Sequence, residues 1–174
     1  MSILRYSILP VLLFVFVFTS CSKKKDDDVT PSVNRADLIG KTWISTSFDV
    51  TLDGKKYSKT GQEEQNIWQF KDNGDFVSSD KDGNSETGKW SLEGNKLKIT
   101  PAGETSATFL PIQSLKGSNM VISLAENLDL TKNEQDYTIM ELNALYVAAM
   151  VLDGQNVDLL KGKKVSVVIS FKAN

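Results

Sequence analysis

The sequence predicts an all-β fold, in which an antiparallel sheet closes into a barrel or a sandwich. Two observations predict it: turn sequences recur at short intervals, and the runs between them alternate apolar with polar side chains. The turn sequences contain Gly beside Asp, Asn, Glu or Lys, and such pairs supply the positive φ of tight hairpins. They are Asp53-Gly54, Asp72-Asn73-Gly74, Asp82-Gly83-Asn84, Glu93-Gly94-Asn95, Lys116-Gly117-Ser118 and Asp153-Gly154. This spacing is typical of sandwiches and barrels.

Residues 1–20 precede the predicted sheet and are interpreted as a signal peptide. Arg5 supplies a positive charge, and the residues from Ile8 to Phe18 are apolar except for Pro10. This run is shorter than the roughly 20 residues of a spanning helix, so it fits the apolar region of a secretory signal. The alternatives are an ordinary cleavable signal that happens to precede a cysteine, or an uncleaved anchor helix.

Cys21 is the only cysteine of the chain, and it follows Thr19 and Ser20, two small residues. This arrangement resembles the lipobox of bacterial lipoproteins. The resemblance implies that Cys21 carries a diacylglyceryl group and a further acyl chain such as palmitate. The protein would then be held on a membrane by this lipid anchor.

Residues 21–34 are interpreted as the lipidated cysteine and a charged linker. Three lysines and three aspartates follow Ser22 within this stretch, which offers little apolar surface to pack. The run resembles the lipoprotein export signal of Bacteroidota, and this resemblance implies an outer-membrane protein displayed at the cell surface. The alternative is a generic polar spacer, with the protein facing the periplasm.

Residues 35–174 form the predicted barrel domain, and its first strand is the clearest. Ile44, Phe48, Val50 and Leu52 are expected on one face of that strand, because alternate side chains point the same way. Later apolar sets follow the same rule: Trp68 and Phe70; Trp90 and Leu92; Leu97 and Ile99; Met120, Ile122 and Leu124; Val165, Val167, Ile169 and Phe171.

The stretch 139–152 fits two interpretations. Its Ala, Leu and Met residues favour a helix, which Gly154 could cap. The other interpretation is two strands joined at Asn143 and Ala144. We predict strands, because the side chains from Tyr137 to Leu142 alternate and the rest of the domain is β. The polar stretch 125–136 is predicted to be a long loop.

Several short motifs of the domain resemble the lipocalin-like domains of Bacteroidota lipoproteins. They are Leu38-Ile39-Gly40-Lys41-Thr42-Trp43 after a helical turn within 33–39, Trp68 to Gly74, Gly88 to Leu92, Gly94 to Ile99, and Tyr137 to Leu142. The resemblance covers residues 36–172. It implies an antiparallel up-and-down lipocalin-like β-barrel of about eight to ten strands, which binds a small apolar or amphiphilic ligand.

The composition argues against catalysis and against several kinds of partner. The chain has no histidine, which removes the commonest general base and the commonest metal ligand. Its 20 basic and 22 acidic residues give no reason to expect a nucleic-acid partner. Asp80 to Glu86 places oxygens as a calcium loop does, but Ser85 and Ser91 stand where such a loop needs Gly and Glu. We therefore expect no enzyme activity, no cofactor and no metal, and a monomer.

Trp68, Phe70 and Trp90 are the predicted apolar wall of any ligand cavity, because aromatic side chains line most such cavities. The alternative is a barrel packed solid by its own side chains. In that case the protein would bind a protein or a glycan through loops at the barrel end, such as residues 125–136.

Overall fold

The computed structural model describes residues 33–62, 64–153 and 162–174, and strands form between the predicted turns. The strands are β1 (Thr42–Leu52), β2 (Lys55–Thr60), β3 (Asn66–Phe70), β4 (Asp75–Asp80), β5 (Ser85–Glu93), β6 (Lys96–Pro101), β7 (Thr108–Lys116), β8 (Asn119–Leu128) and β9 (Val165–Ala173). The helices are α1 (Arg35–Leu38), a 3₁₀ turn (Glu134–Asp136) and α2 (Ile139–Val151). In this part of the chain, no helix is both long and apolar enough to cross a membrane.

The strands form a closed antiparallel barrel, as predicted. Each strand from β3 to β9 pairs with the next, and β9 pairs with β1 to close a ring of eight strands. The long β1 pairs with β3 through residues 42–44 and with β2 through residues 47–52. The strands β2 and β3 therefore share one side of β1, and β2 extends the wall there.

The two ends of the barrel differ. At one end, which we call the closed end, the hairpins turn tightly at Gly74, Gly94 and Gly117, all with positive φ. The segment that carries α1 contacts these turns: the amide of Val33 donates to Asn95 Oδ1 at 3.1 Å, and the Arg35 guanidinium donates to the carbonyl of Asp72 at 2.7 Å. The other end, which we call the open end, has the β4–β5 and β6–β7 loops and α2.

A bulge in β1 corrects the predicted alternation of that strand. The pairing of β1 with β9 shifts between Ser45 and Ser47, so Thr46 is an extra residue. An extra residue reverses the faces on either side of it. As a result Ser45 is buried before the bulge and Phe48 after it, and the prediction that Ile44 shares a face with Phe48 is wrong.

The predicted strands in 139–152 are also wrong, because this stretch forms α2. Thr138 caps the helix: its Oγ1 accepts from the amide of Glu141, and the Glu141 carboxylate accepts from the amide of Thr138. This reciprocal pair is a capping box, which satisfies amides that the first helical turn leaves open. The predicted loop 125–136 is too long, because β8 continues to Leu128.

Candidate functional site

A cavity of about 920 Å³ lies at the open end of the barrel. Its wall is formed by the inward faces of the strands on one side and by α2 on the other. This volume falls within the range of about 300–1,000 Å³ that is usual for small-molecule sites. The barrel is therefore not packed solid along its whole length.

The deep part of the cavity is apolar. Trp68 is its largest side chain. The Trp68 ring meets the Phe76 ring edge-on, with centroids 5.6 Å apart, and lies tilted against the Phe171 ring, with centroids 4.5 Å apart. The other buried apolar residues that the strands contribute to the wall are Phe48, Phe76, Ile99, Leu110, Leu124 and Ile169. Strand alternation places these side chains inside the barrel, where they offer a ligand an apolar surface.

The helix α2 supplies the opposite wall. Its buried residues Ala144, Val147, Ala148 and Val151 recur at helical spacing, and α2 lies against β8 and β1. Next to this face, Met140 and Met150 line the cavity. Methionine adapts to irregular surfaces, so this wall can adjust to ligands of different shape.

The rim of the cavity is acidic. The described lining includes one ammonium group, that of Lys81, and five carboxylates. The carboxylates are those of Glu64, Asp80, Asp82, Glu86 and Glu104. The Asp80 carboxylate accepts from the side chain of Asn84 at 2.7 Å and from the amides of Asp82 and Asn84 at 2.9 Å. These hydrogen bonds lower the pKa of Asp80, and the bond from the Asn84 side chain has the largest effect. The Asp80 carboxylate therefore stays charged.

The Asp80 hydrogen bonds stabilise a hairpin turn in the stretch from Asp80 to Glu86, which was compared above with a calcium loop. Gly83 has a φ of 88° between β4 and β5, as a tight turn requires. Within the described part of the chain, no three acidic, histidine or cysteine side chains are grouped closely enough to hold a metal ion.

Only one of the three aromatic residues that were predicted to line a cavity does so, although the Trp68 and Phe70 rings meet edge-on with centroids 6.3 Å apart. Trp68 lines it, but Phe70 and Trp90 do not. These two rings pack against each other with centroids 5.0 Å apart, and Trp90 Nε1 donates to the carbonyl of Lys71 at 2.9 Å. The Arg35 guanidinium lies 4.3 Å from the Trp90 ring centroid. Phe70 and Trp90 therefore fill the closed half of the barrel.

Cys21, the predicted lipidation site, lies outside the described residues. The residues of α2 were not predicted to line a cavity, because the stretch was interpreted as strands. The capping pattern Thr138-x-x-Glu141 in the sequence could have indicated the helix.

Residues 38–122, from α1 into β8, match the family model of the lipocalin-like domain. The fold is a lipocalin-like barrel. The matched range ends before α2 and β9, so the helical wall of the cavity lies outside it. Searches of the curated proteins and of the solved structures found no match to the chain.

Proposed function

We propose that this lipocalin-like protein binds a small apolar or amphiphilic molecule in the cavity at the open end of its barrel. One observation carries the proposal: the cavity of about 920 Å³ at the open end has buried apolar side chains in its floor and a polar rim. Buried apolar surface supplies about 25 cal/mol per Å². An apolar chain inserted past the rim would gain this energy against the buried apolar side chains of the floor.

The make-up of the cavity favours binding over catalysis. The deep wall has aromatic and aliphatic side chains. On β4, the polar Ser78 follows Phe76 in the cavity lining. The carboxylates of the lining stand at the rim, in loops and strand ends. General acid–base chemistry needs a titratable group within hydrogen-bond reach of the reacting atom, and the apolar floor offers none.

We also propose that a lipid on Cys21 holds the protein on the outer membrane, at the cell surface. The support is the sequence before and after Cys21: a short apolar leader, two small residues, and a charged linker. Two or more acyl chains give stable membrane attachment, whereas one chain binds only marginally. The protein would act there as a monomer.

The fluorescence of Trp68 tests the binding proposal. Residues 22–174 are titrated with lauryl dimethylamine oxide, a neutral twelve-carbon amphiphile, below its micelle concentration. We expect a change in tryptophan emission, because the Trp68 ring lines the cavity. The change should disappear in Trp68→Phe and persist in Trp90→Phe, the matched control in the closed half.

An emission change that survives in Trp68→Phe and disappears in Trp90→Phe would contradict the proposed position of the ligand. If the wild-type protein shows no change and no binding by calorimetry, the proposed function itself is wrong.

A second candidate function is the binding of a protein or glycan at the open end. The observation that favours it is the exposed apolar surface of α2, where Ile139 is 58%, Leu142 42% and Tyr146 63% exposed. Ile139 and Tyr146 also line the cavity, whereas Leu142 does not. A Leu142→Asp variant that still binds amphiphiles but loses a macromolecular partner would support this second function.

A further inference from the structure

We propose that the cavity prefers amphiphiles with a cationic head group, and that the acidic rim produces this preference. The inference rests on the proposed function, because it concerns the ligand of the same cavity. It adds the charge of the ligand's head group, which the apolar floor does not determine.

The depth of the cavity decides where a charged head group must stay. A charge moved into the apolar floor beside Trp68 and Phe76 would lose its hydration without gaining a partner. An amphiphile must therefore insert its apolar chain and leave its head group at the rim, among the exposed side chains there.

The acidic side chains reach the rim from three separate loops. Glu64 lies between β2 and β3, Asp82 and Glu86 lie at the β4–β5 hairpin, and Glu104 lies between β6 and β7. These four side chains are exposed, and none of them forms an ion pair with another described residue. Their negative charge therefore remains available to a ligand.

The fourth side of the rim is α2, which also suits a cation. Tyr146 lines the cavity and is 63% exposed. The face of an aromatic ring attracts ammonium groups, and this attraction is the basis of many quaternary-ammonium sites. Lys81 is the one basic side chain of the described lining. An anionic head group would thus meet mostly repulsion.

The expected preference is moderate and depends on salt. Exposed charges interact through water and are screened over about 10 Å at 0.1 M salt. A rim with four unpaired carboxylates should nevertheless favour a cation over an anion by about tenfold or more at low salt, mainly through faster association. This ratio should shrink as salt is added.

The test compares three amphiphiles with the same twelve-carbon chain below their micelle concentrations. They are dodecyltrimethylammonium, lauryl dimethylamine oxide and laurate, which are cationic, neutral and anionic. Binding to residues 22–174 is measured by calorimetry at about 20 mM and 300 mM salt. We expect affinity to fall from the cation to the neutral compound to the anion at low salt, and to converge at high salt.

Two triple variants assign the preference to the rim. Glu64→Gln, Glu86→Gln and Glu104→Gln together should reduce the cation-to-anion ratio severalfold. Asp37→Asn, Asp72→Asn and Glu93→Gln remove the same charge from the closed end and should leave the ratio as it is. Asp80 is kept in both variants because it holds the hairpin.

The outcomes separate this inference from the proposed function. Equal or tighter binding of laurate, with the neutral compound also bound, would overturn the charge preference and leave the cavity function standing. A ratio that survives in the rim variant would also overturn the inference. If none of the three compounds binds, the proposed function and this inference both fail.

Discussion

At the residue scale, the three tryptophans show how the same side chain serves two different purposes. Trp43 Nε1 donates to the carbonyl of Leu38 at 3.1 Å, and Trp90 Nε1 donates to the carbonyl of Lys71. Both bonds hold segments at the closed end. The Trp68 indole N–H has no hydrogen-bond partner in the described part of the chain and is not fully buried. Trp68 therefore fastens no segment through its indole N–H, and its ring lines the cavity instead.

Ser78 and Ser79 provide the sharpest pair of substitutions at this scale. Both are half-buried neighbours on β4, but only Ser78 lines the cavity. We expect Ser78→Phe to fill part of the cavity, to abolish binding of lauryl dimethylamine oxide, and to stabilise the fold by about 1 kcal/mol through apolar burial. Ser79→Phe should bind like the wild type. Calorimetry and thermal unfolding measure both effects, and a Ser78→Phe protein that binds normally would refute the proposed site.

At the scale of elements, α2 is the part that turns a barrel end into a cavity wall. The helix is apolar on most of its surface, because one face packs on the barrel and the next face lines the cavity. Its first turn is held by the capping box and by Lys132, whose Nζ lies 2.6 Å from Glu141 Oε1. The shape of the cavity therefore depends on whether this first turn forms.

The cap of α2 gives a prediction about stability and pH. Thr138→Ala should lower the free energy of unfolding by about 1 kcal/mol, as loss of a cap does. The ion pair with Lys132 and the bonds to Thr138 lower the pKa of Glu141 below its ordinary value of 4.5. The carboxylate thus stabilises the fold above pH 4.5, and this contribution disappears as the pH falls through the lowered pKa.

Glu141→Gln is the control for this effect. Glutamine can still complete the capping box, but it cannot titrate. The stability difference between the wild type and Glu141→Gln, measured by chemical unfolding, should shrink between pH 7 and pH 3. A difference that stays constant or grows over that range would contradict the role given to the Lys132–Glu141 pair.

The sequence was sufficient to predict the hairpins, because their signals are local. The turns at Asp53, Asp72, Asp82, Glu93 and Lys116 are confirmed as connections between consecutive strands. The helical turn before Gly40 is confirmed as α1. In each case the backbone conformation depends on a few adjacent residues.

The features that the sequence did not reveal depend on distant contacts or on competing local patterns. The bulge at Thr46 depends on pairing with Ser170 and Phe171, more than 100 residues away. The stretch 139–152 alternates briefly at its start, but its helical composition and the capping box of Thr138 and Glu141 make it a helix. Phe70 and Trp90 could not be separated from Trp68, because the contacts of α1 decide which end of the barrel is filled.

At the scale of the whole molecule, the chain enters the barrel at the end opposite the cavity. The amide of Val33 is bonded to Asn95 at the closed end. If Cys21 is lipidated, as proposed, the 13 residues from Cys21 to Val33 keep Val33 within about 45 Å of the membrane.

The proposed lipid anchor gives a prediction of its own. Cys21→Ala removes the proposed acceptor of the lipid, so the protein should move from the membrane fraction to the soluble fraction while its domain stays folded. Fractionation with immunoblotting and circular dichroism measures both properties. A Cys21→Ala protein that remains in the membrane fraction and keeps its leader would show that residues 1–20 act as an anchor helix.

Native mass spectrometry of residues 22–174, produced without the leader, tests most directly whether the barrel holds a ligand. We predict one bound small molecule, either retained from the expressing cells or taken up from a panel of cationic, neutral and anionic amphiphiles. The same measurement on Ser78→Phe should show the unliganded mass. A wild-type protein that shows only its unliganded mass with every compound would contradict the claim that this barrel holds a ligand.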